Sequence, residues 1–165
     1  GCYYSLSTLS SVSIEEIGAL TSTPKMFQIY IHKDRGLTYE FIERCKRAKF
    51  TSLCLTIDTI VAGNRERDLR TGMTMPPKFT PSSLLSFAIH PRWVFNYFTH
   101  EAFKLANLEG KTEKGSKESL SVIDYINSQF DTNLCWDDAQ KAIEAWGGPF
   151  AIKGVMSVTD AKRAV

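Results

Sequence analysis

The feature that most constrains this chain is the stretch from Lys25 to Asp58, where two short apolar segments flank one amphipathic segment. Met26-Phe27-Gln28-Ile29-Tyr30 and Leu53-Cys54-Leu55-Thr56-Ile57-Asp58 are short apolar runs, which predicts two strands. Between them Phe41, Ile42, Cys45 and Ala48 recur at helical spacing, with Thr38 as the expected N-cap. Strand, helix and strand in about thirty residues make a βαβ unit, whose crossover makes the two strands parallel. Side chains alternate along a strand, so Gln28 and Tyr30 share one face, as do Thr56 and Asp58. Parallel strands are usually apolar on both faces, so a polar pair at each carboxyl end stands out. Half-wet strand ends tolerate such pairs. The carboxyl edge of a barrel or doubly wound sheet is also where those folds carry their sites.

The flanking sequence repeats the theme. Residues 1–12 read as a short strand breaking into a Ser/Thr-rich turn, and Ser13-Ile14-Glu15-Glu16 is a capping box opening a helix with Ile14, Ile17 and Leu20 inward. Asp137-Asp138 suit the first turn of a helix with Ala139, Ala142, Ile143 and Trp146 inside, stopped by Gly147-Gly148. Pro149-Phe150-Ala151-Ile152 predicts a further strand ending at Lys153-Gly154, and Ser157 and Asp160 open a last helix, which the sequence leaves unfinished. His32, in the polar loop His32–Gly36, reads as a solvated loop residue.

Residues 59–135 break the alternation. Gly63-Asn64, the charged run Arg65–Asp68 and a three-proline stretch form an excursion of a length that usually carries a lid or binding loop. Residues 84–108 are rich in aromatics, with His90 and His100 among them, and predict a helical pair packing its aromatics on the core. The alternative is an amphipathic surface for a membrane or a partner. Residues 109–118 are polar and Lys/Gly-rich, and Leu120–Phe130 predicts a short helix.

At 165 residues and 43% hydrophobic, the chain suits one globular domain. A net charge of +2 with interleaved signs argues against nucleic acid. Cys2, Cys45, Cys54 and Cys135 are scattered, without metal-ligand spacing, and Cys45 and Cys54 fall on apolar faces, so free buried thiols are expected there and no metal site. No run approaches the roughly 18 apolar residues of a membrane span, which predicts a soluble or peripheral protein. About four consecutive βα units predict an α/β fold, a partial (β/α)₈ TIM barrel with a long helical insertion after one strand. A full barrel needs about 250 residues, so the chain reads as a central fragment, residues 1–165 lying in one barrel domain with 59–135 inserted in it.

SLSTLSS followed by SIEE, then FQIY, LTID, GNRERD and AIKGV, resemble the FMN-dependent L-2-hydroxy acid dehydrogenases and oxidases. RTGMTMPP, SLLSFAIHPRW and DYINSQFDTNLCWDDAQ resemble the insertion of the bacterial quinone- or cytochrome-linked L-lactate dehydrogenase branch. The resemblance implies FMN across the barrel mouth, with Ser7, Gln28 and Thr56 matching its neutral contacts and Lys153 the cation near flavin N1 and O2. It makes Tyr30 a tyrosine that hydrogen-bonds the substrate, Arg65 an arginine facing its carboxylate, and Asp58 the carboxylate that orients the catalytic histidine. That histidine, a second arginine and the phosphate-binding glycines are expected beyond Lys153, so His32, His90 and His100 are not candidates for the base.

The activity so implied is oxidation of L-lactate, or a similar L-2-hydroxy acid, to the 2-oxo acid, with electrons passed to a quinone or cytochrome. The fragment itself is expected to be inactive. The resemblance also implies a homo-oligomer, in the cytoplasm or peripheral on the inner face of the cell membrane. Rival readings are an oxygen-using oxidase, a mandelate-type dehydrogenase, and a non-catalytic barrel remnant that binds a partner or membrane through its aromatic insertion.

Overall fold

The computed structural model describes residues 2–59, 64, 66–72, 80–100, 104–108 and 128–165. In chain order the elements are β1 (Tyr4–Ser7), α1 (Ile14–Leu20), β2 (Lys25–Ile29), α2 (Arg35–Arg47), β3 (Ser52–Thr56), α3 (Glu66–Thr71), α4 (Pro81–Ala88), α5 (Pro91–Thr99), α6 (Trp136–Trp146), β4 (Phe150–Lys153) and α7 (Val158–Arg163). The four strands form one sheet in the order β1-β2-β3-β4, every pair parallel. Neighbouring strands follow one another in sequence through helical crossovers, the arrangement of an arc of a (β/α)₈ barrel. The expected fold class holds.

Register sorts the side chains by face. Leu6, Phe27, Leu53 and Phe150 stand abreast, as do Ile29, Leu55 and Ile152 beside Leu53 and Phe27, and this face carries the core. It packs on Ile14 of α1, Phe41, Ile42 and Cys45 of α2, and Ala139, Ala142 and Trp146 of α6. Each fully buried Phe, Leu or Ile contributes about 1.5–3 kcal/mol of transfer free energy, so the helix-facing layer is what holds the strands in register. The opposite face carries Ser7, Gln28, Cys54, Thr56, Ala151 and Lys153, which correspond to the barrel interior. Cys45 and Cys54 are buried and free as expected, though Cys54 sits on this second face.

The helix ends show why these segments fold locally. Ser13 caps α1 with the full capping box, Ser13 Oγ accepting from Glu16 N and Glu16 Oε2 from Ser13 N at 2.8 Å. Helix α2 begins earlier than the sequence suggests. Its N-cap is Asp34, accepting from Gly36 N at 2.8 Å, whereas Thr38 lies inside the helix, buried, and its Oγ1 accepts from His32 N. An Asx cap outcompetes Thr38 because Thr38 is already spent on the incoming loop. Gly147 at φ 71° ends α6, and Ser157 caps α7 by accepting from Asp160 N. Helix α7 runs from Val158 to Arg163, with Ala164 N donating to Asp160 O.

The inserted region differs more. The charged run Glu66–Thr71 forms the short helix α3. Helices α4 and α5 form as predicted, but none of their residues is buried. Trp93, Phe95, Tyr97 and Phe98 are all exposed, Phe98 at 78%. Packing of these aromatics on the core is therefore corrected: Phe87 stacks on Trp93 at 4.9 Å, Trp93 on Tyr97 at 5.4 Å, and Phe98 meets Tyr97 edge-on. The predicted helix Leu120–Phe130 and the Lys/Gly-rich run 109–118 lie outside the described residues, apart from Ser128–Phe130.

Candidate functional site

At the carboxyl edge of the sheet the predicted polar residues meet. Ser7 is the register partner of Gln28, and Thr56 that of Lys153, so β1 to β4 each offer a polar side chain on the same face. Ser7 Oγ donates to Gln28 Oε1 at 3.0 Å, and Gln28 Nε2 donates to Thr56 Oγ1 at 2.7 Å. The amide is thereby fixed in one orientation across three strands. Ser7 Oγ also accepts from Leu9 N, which holds the hydroxyl at the start of the β1–α1 turn.

Asp58 lies two residues beyond Thr56 and accepts from Lys153 Nζ at 3.0 Å through Oδ2 and 3.3 Å through Oδ1. The ammonium beside it holds the Asp58 carboxyl below the ordinary carboxylate range, and Asp58 in turn raises the Lys153 ammonium. Tyr30 and Cys54 add smaller interactions that also favour the charged lysine. Tyr30, immediately after β2, packs edge-on against Phe130 with ring centroids 6.1 Å apart. The structure thus brings together Ser7, Gln28, Tyr30, Thr56, Asp58 and Lys153. Arg65 lies outside the described residues.

None of the three histidines joins this cluster. His32 is buried, at 4% exposure, so the reading of a solvated loop residue is corrected. Burial pushes its imidazole down to about 4, its Nδ1 is the buried side-chain atom left without a partner among the described residues, and its ring lies 5.8 Å from Phe41. It is buried because its backbone is tied down: His32 bridges Phe130, and Lys33 N donates to Gln129 O at 2.9 Å. His90 and His100 sit on the α4–α5 pair, each Nδ1 within bonding distance of a carbonyl one turn back.

Three contributors escaped the sequence reading. Thr8, fully buried, donates through Oγ1 to Gln28 O at 2.7 Å and extends the β1–β2 pairing past Ser7. Gly154, at φ +95°, leaves room for Asp58, since a Cβ there would lie 2.6 Å from Asp58 Cβ. Arg35 bonds Asp131 at 2.6 Å and Asp138 at 3.0 Å, tying the β2–α2 loop to the segment that carries Phe130. A glycine directly after a strand-end lysine was the visible signal for the second. Arg35 and Thr8 gave none, because their partners are distant in sequence.

The donor set suits a flavin ring. An amide, two hydroxyls and a cation in one row match a planar edge that alternates hydrogen-bond acceptors with one donor, and the cation is itself paired with the Asp58 carboxylate. Among the described residues no group of three or more His, Cys, Asp or Glu is placed to hold a metal.

Comparison with known proteins points the same way. The family model for FMN-dependent dehydrogenases matches residues 1–165. The L-lactate dehydrogenase of Pseudomonas paraeruginosa is 35% identical over 167 residues, an alignment covering 100% of this chain and 43% of the relative. The L-lactate dehydrogenase of Xanthomonas campestris pv. campestris is likewise 35% identical, with 100% and 42% covered. The chain therefore spans about two fifths of the length of the curated relatives it matches. Among solved structures, the monotopic membrane protein (S)-mandelate dehydrogenase superposes with a TM-score of 0.90 at 27% identity, over 99% of this chain and 43% of that one. With a parallel β/α arc, a flavin-suited row at its carboxyl edge and a family match along its whole length, the chain belongs to the FMN-dependent dehydrogenases.

Proposed function

We propose that this protein oxidises L-lactate, or a similar L-2-hydroxy acid, to the 2-oxo acid. The carrying observation is the hydrogen-bonded row Ser7–Gln28–Thr56 beside the Asp58–Lys153 pair, at one strand edge of a chain in this family. FMN, when bound, supplies the two-electron acceptor. Ser7, Gln28 and Thr56 would hold the ring's polar edge with neutral groups, and Lys153 would supply a positive charge beside it. Tyr30 donates its hydroxyl to the substrate, and Arg65 receives the carboxylate in its guanidinium fork. Asp58 orients and stabilises the histidine that takes the hydroxyl proton; that base comes from outside residues 1–165. Residues 1–165 belong to one barrel domain, with 59–135 inserted, and electrons leave to a quinone or cytochrome.

The test is anaerobic addition of L-lactate to the FMN-loaded full-length protein. Loss of the oxidised-flavin absorbance with L-lactate but not D-lactate is expected. No loss with L-lactate or with any other L-2-hydroxy acid would overturn the reading. The likeness to (S)-mandelate dehydrogenase supports a second reading, a preference for aryl 2-hydroxy acids, which a comparison of L-lactate with (S)-mandelate decides. Peroxide formation in air would mark an oxygen-using oxidase.

The α4–α5 pair is the proposed membrane contact. No helix among the described residues is long and apolar enough to cross a membrane. The pair instead exposes Leu84, Leu85, Ile89, Trp93, Phe95 and Phe98, and residues 81–100 contain Arg92 and no carboxylate. This composition suits insertion at a lipid headgroup boundary, and the structural relative is itself a monotopic membrane protein.

A further inference from the structure

Tyr30 is fixed from a direction that the flavin row does not explain. Its ring meets Phe130 at 84°, and Phe130 reaches it from the far end of the inserted region. Three kinds of bond hold Phe130 there. Its backbone bridges His32, Gln129 O accepts from Lys33 N at 2.9 Å, and Gln129 Oε1 accepts from Asp34 N at 3.0 Å. Arg35 then closes the assembly. Its Nε and Nη2 donate to the two carboxylate oxygens of Asp138 at 3.0 and 3.1 Å, Nη2 donates to Asp131 at 2.6 Å, and Nη1 donates to the His32 carbonyl. One guanidinium thus ties together the loop after Tyr30, the residue after Phe130, and the first turn of α6. Both carboxyls lie below the ordinary carboxylate range, Asp138 despite its partial burial.

The geometry points to Arg35 as a positioning residue for 2-hydroxy acid binding, acting through Phe130 on Tyr30. It rests on the reading of Tyr30 as a substrate contact. A substrate-binding hydroxyl is effective only when its side chain is held by supporting groups, and a phenol has two torsions to fix. Phe130 packs edge-on against that ring, and Phe130 is itself held by the segment that Arg35 locks. The planar fork is what the site needs, because one lysine ammonium cannot span two carboxylates and a carbonyl with the same geometry.

The experiment uses the FMN-loaded full-length protein, ring-labelled on tyrosine for NMR, with Tyr30→Phe identifying the Tyr30 signal. Arg35→Gln and Phe130→Leu are compared with the parent protein. Both are expected to shift the Tyr30 signal, and both to raise the KM for L-lactate on the order of tenfold while kcat stays within about threefold. Arg35→Lys is expected to restore less than half of the KM change. An unmoved Tyr30 signal in folded Arg35→Gln, with only its melting temperature lowered, would overturn the inference. So would a moved signal with an unchanged KM. If Arg35→Gln does not fold, Asp131→Asn, which weakens the guanidinium's hold on the residue after Phe130, decides by the same two readouts. A parent protein that oxidises no 2-hydroxy acid would sink the functional reading and with it the binding role, while the NMR arm still decides whether Arg35 positions Tyr30.

Discussion

At the scale of single residues, the site depends on a glycine, and the loop beside it buries a histidine. Gly154 combines a φ of +95° with a contact that leaves no room for a side chain, its would-be Cβ lying 2.7 Å from Asp58 Cγ. Gly154→Ala is expected to push Asp58 off Lys153 and to cost about 1–3 kcal/mol, read as a drop in the urea midpoint together with weaker FMN binding. An unchanged FMN affinity would separate Gly154 from the site. His32 carries a different consequence. Burial pushes it from 6.5 down to about 4, against the opposing pull of Asp34, with Arg35 adding to the depression. The folded chain therefore binds fewer protons there than the unfolded chain, so stability is full above about pH 6.5 and falls as pH drops towards 4, by up to about 3 kcal/mol. His32→Leu should lose less stability than the parent protein between neutral pH and about pH 4; equal losses would mean His32 contributes nothing to acid sensitivity.

At the scale of elements, the helix caps and the inserted pair behave oppositely. Ser13 and Glu16 form a closed local unit, so Ser13→Ala is expected to cost about 1 kcal/mol in thermal unfolding whatever else surrounds α1. Helices α4 and α5 bury none of their residues and carry an aromatic stack of Phe87, Trp93 and Tyr97. Replacing Phe95 and Phe98 together by Ser should lower sedimentation with phosphatidylcholine–phosphatidylglycerol vesicles by at least about tenfold, since each buried phenyl is worth about 1.5–3 kcal/mol. Binding that survives the double substitution would move the membrane contact elsewhere.

At the scale of the whole molecule, four strands and their helices make one continuous arc whose core faces the helices and whose polar row faces inward. Within this arc β1 and β4 each pair with a single neighbour. The row can meet one edge of a ring, but it holds no histidine base among its members. Residues 1–165 expressed alone are therefore expected to bind FMN weakly and not to turn over L-lactate. Turnover by this stretch alone would show that the base lies within it.

The order of elements, the parallel sheet and the strand-end polar row were legible in the sequence, because βα crossovers and two-residue alternation act over short distances. The same locality made Ser13, Gly147 and Ser157 readable as helix ends. Tertiary structure alone decided that His32 is buried, that Asp34 displaces Thr38 as the cap, and that the inserted aromatics face outward. The first and last depend on a partner far along the chain or on a surface left without one, whereas the choice of cap is settled within the loop, where Thr38 accepts from His32 N and leaves Asp34 to take Gly36 N. His32 is buried because Phe130 and Gln129 return from about a hundred residues away to pair with its loop, and Arg35 clasps Asp131 and Asp138 across a similar gap. Sequence periodicity states which faces are apolar; which of them finds a partner is a property of the assembled chain.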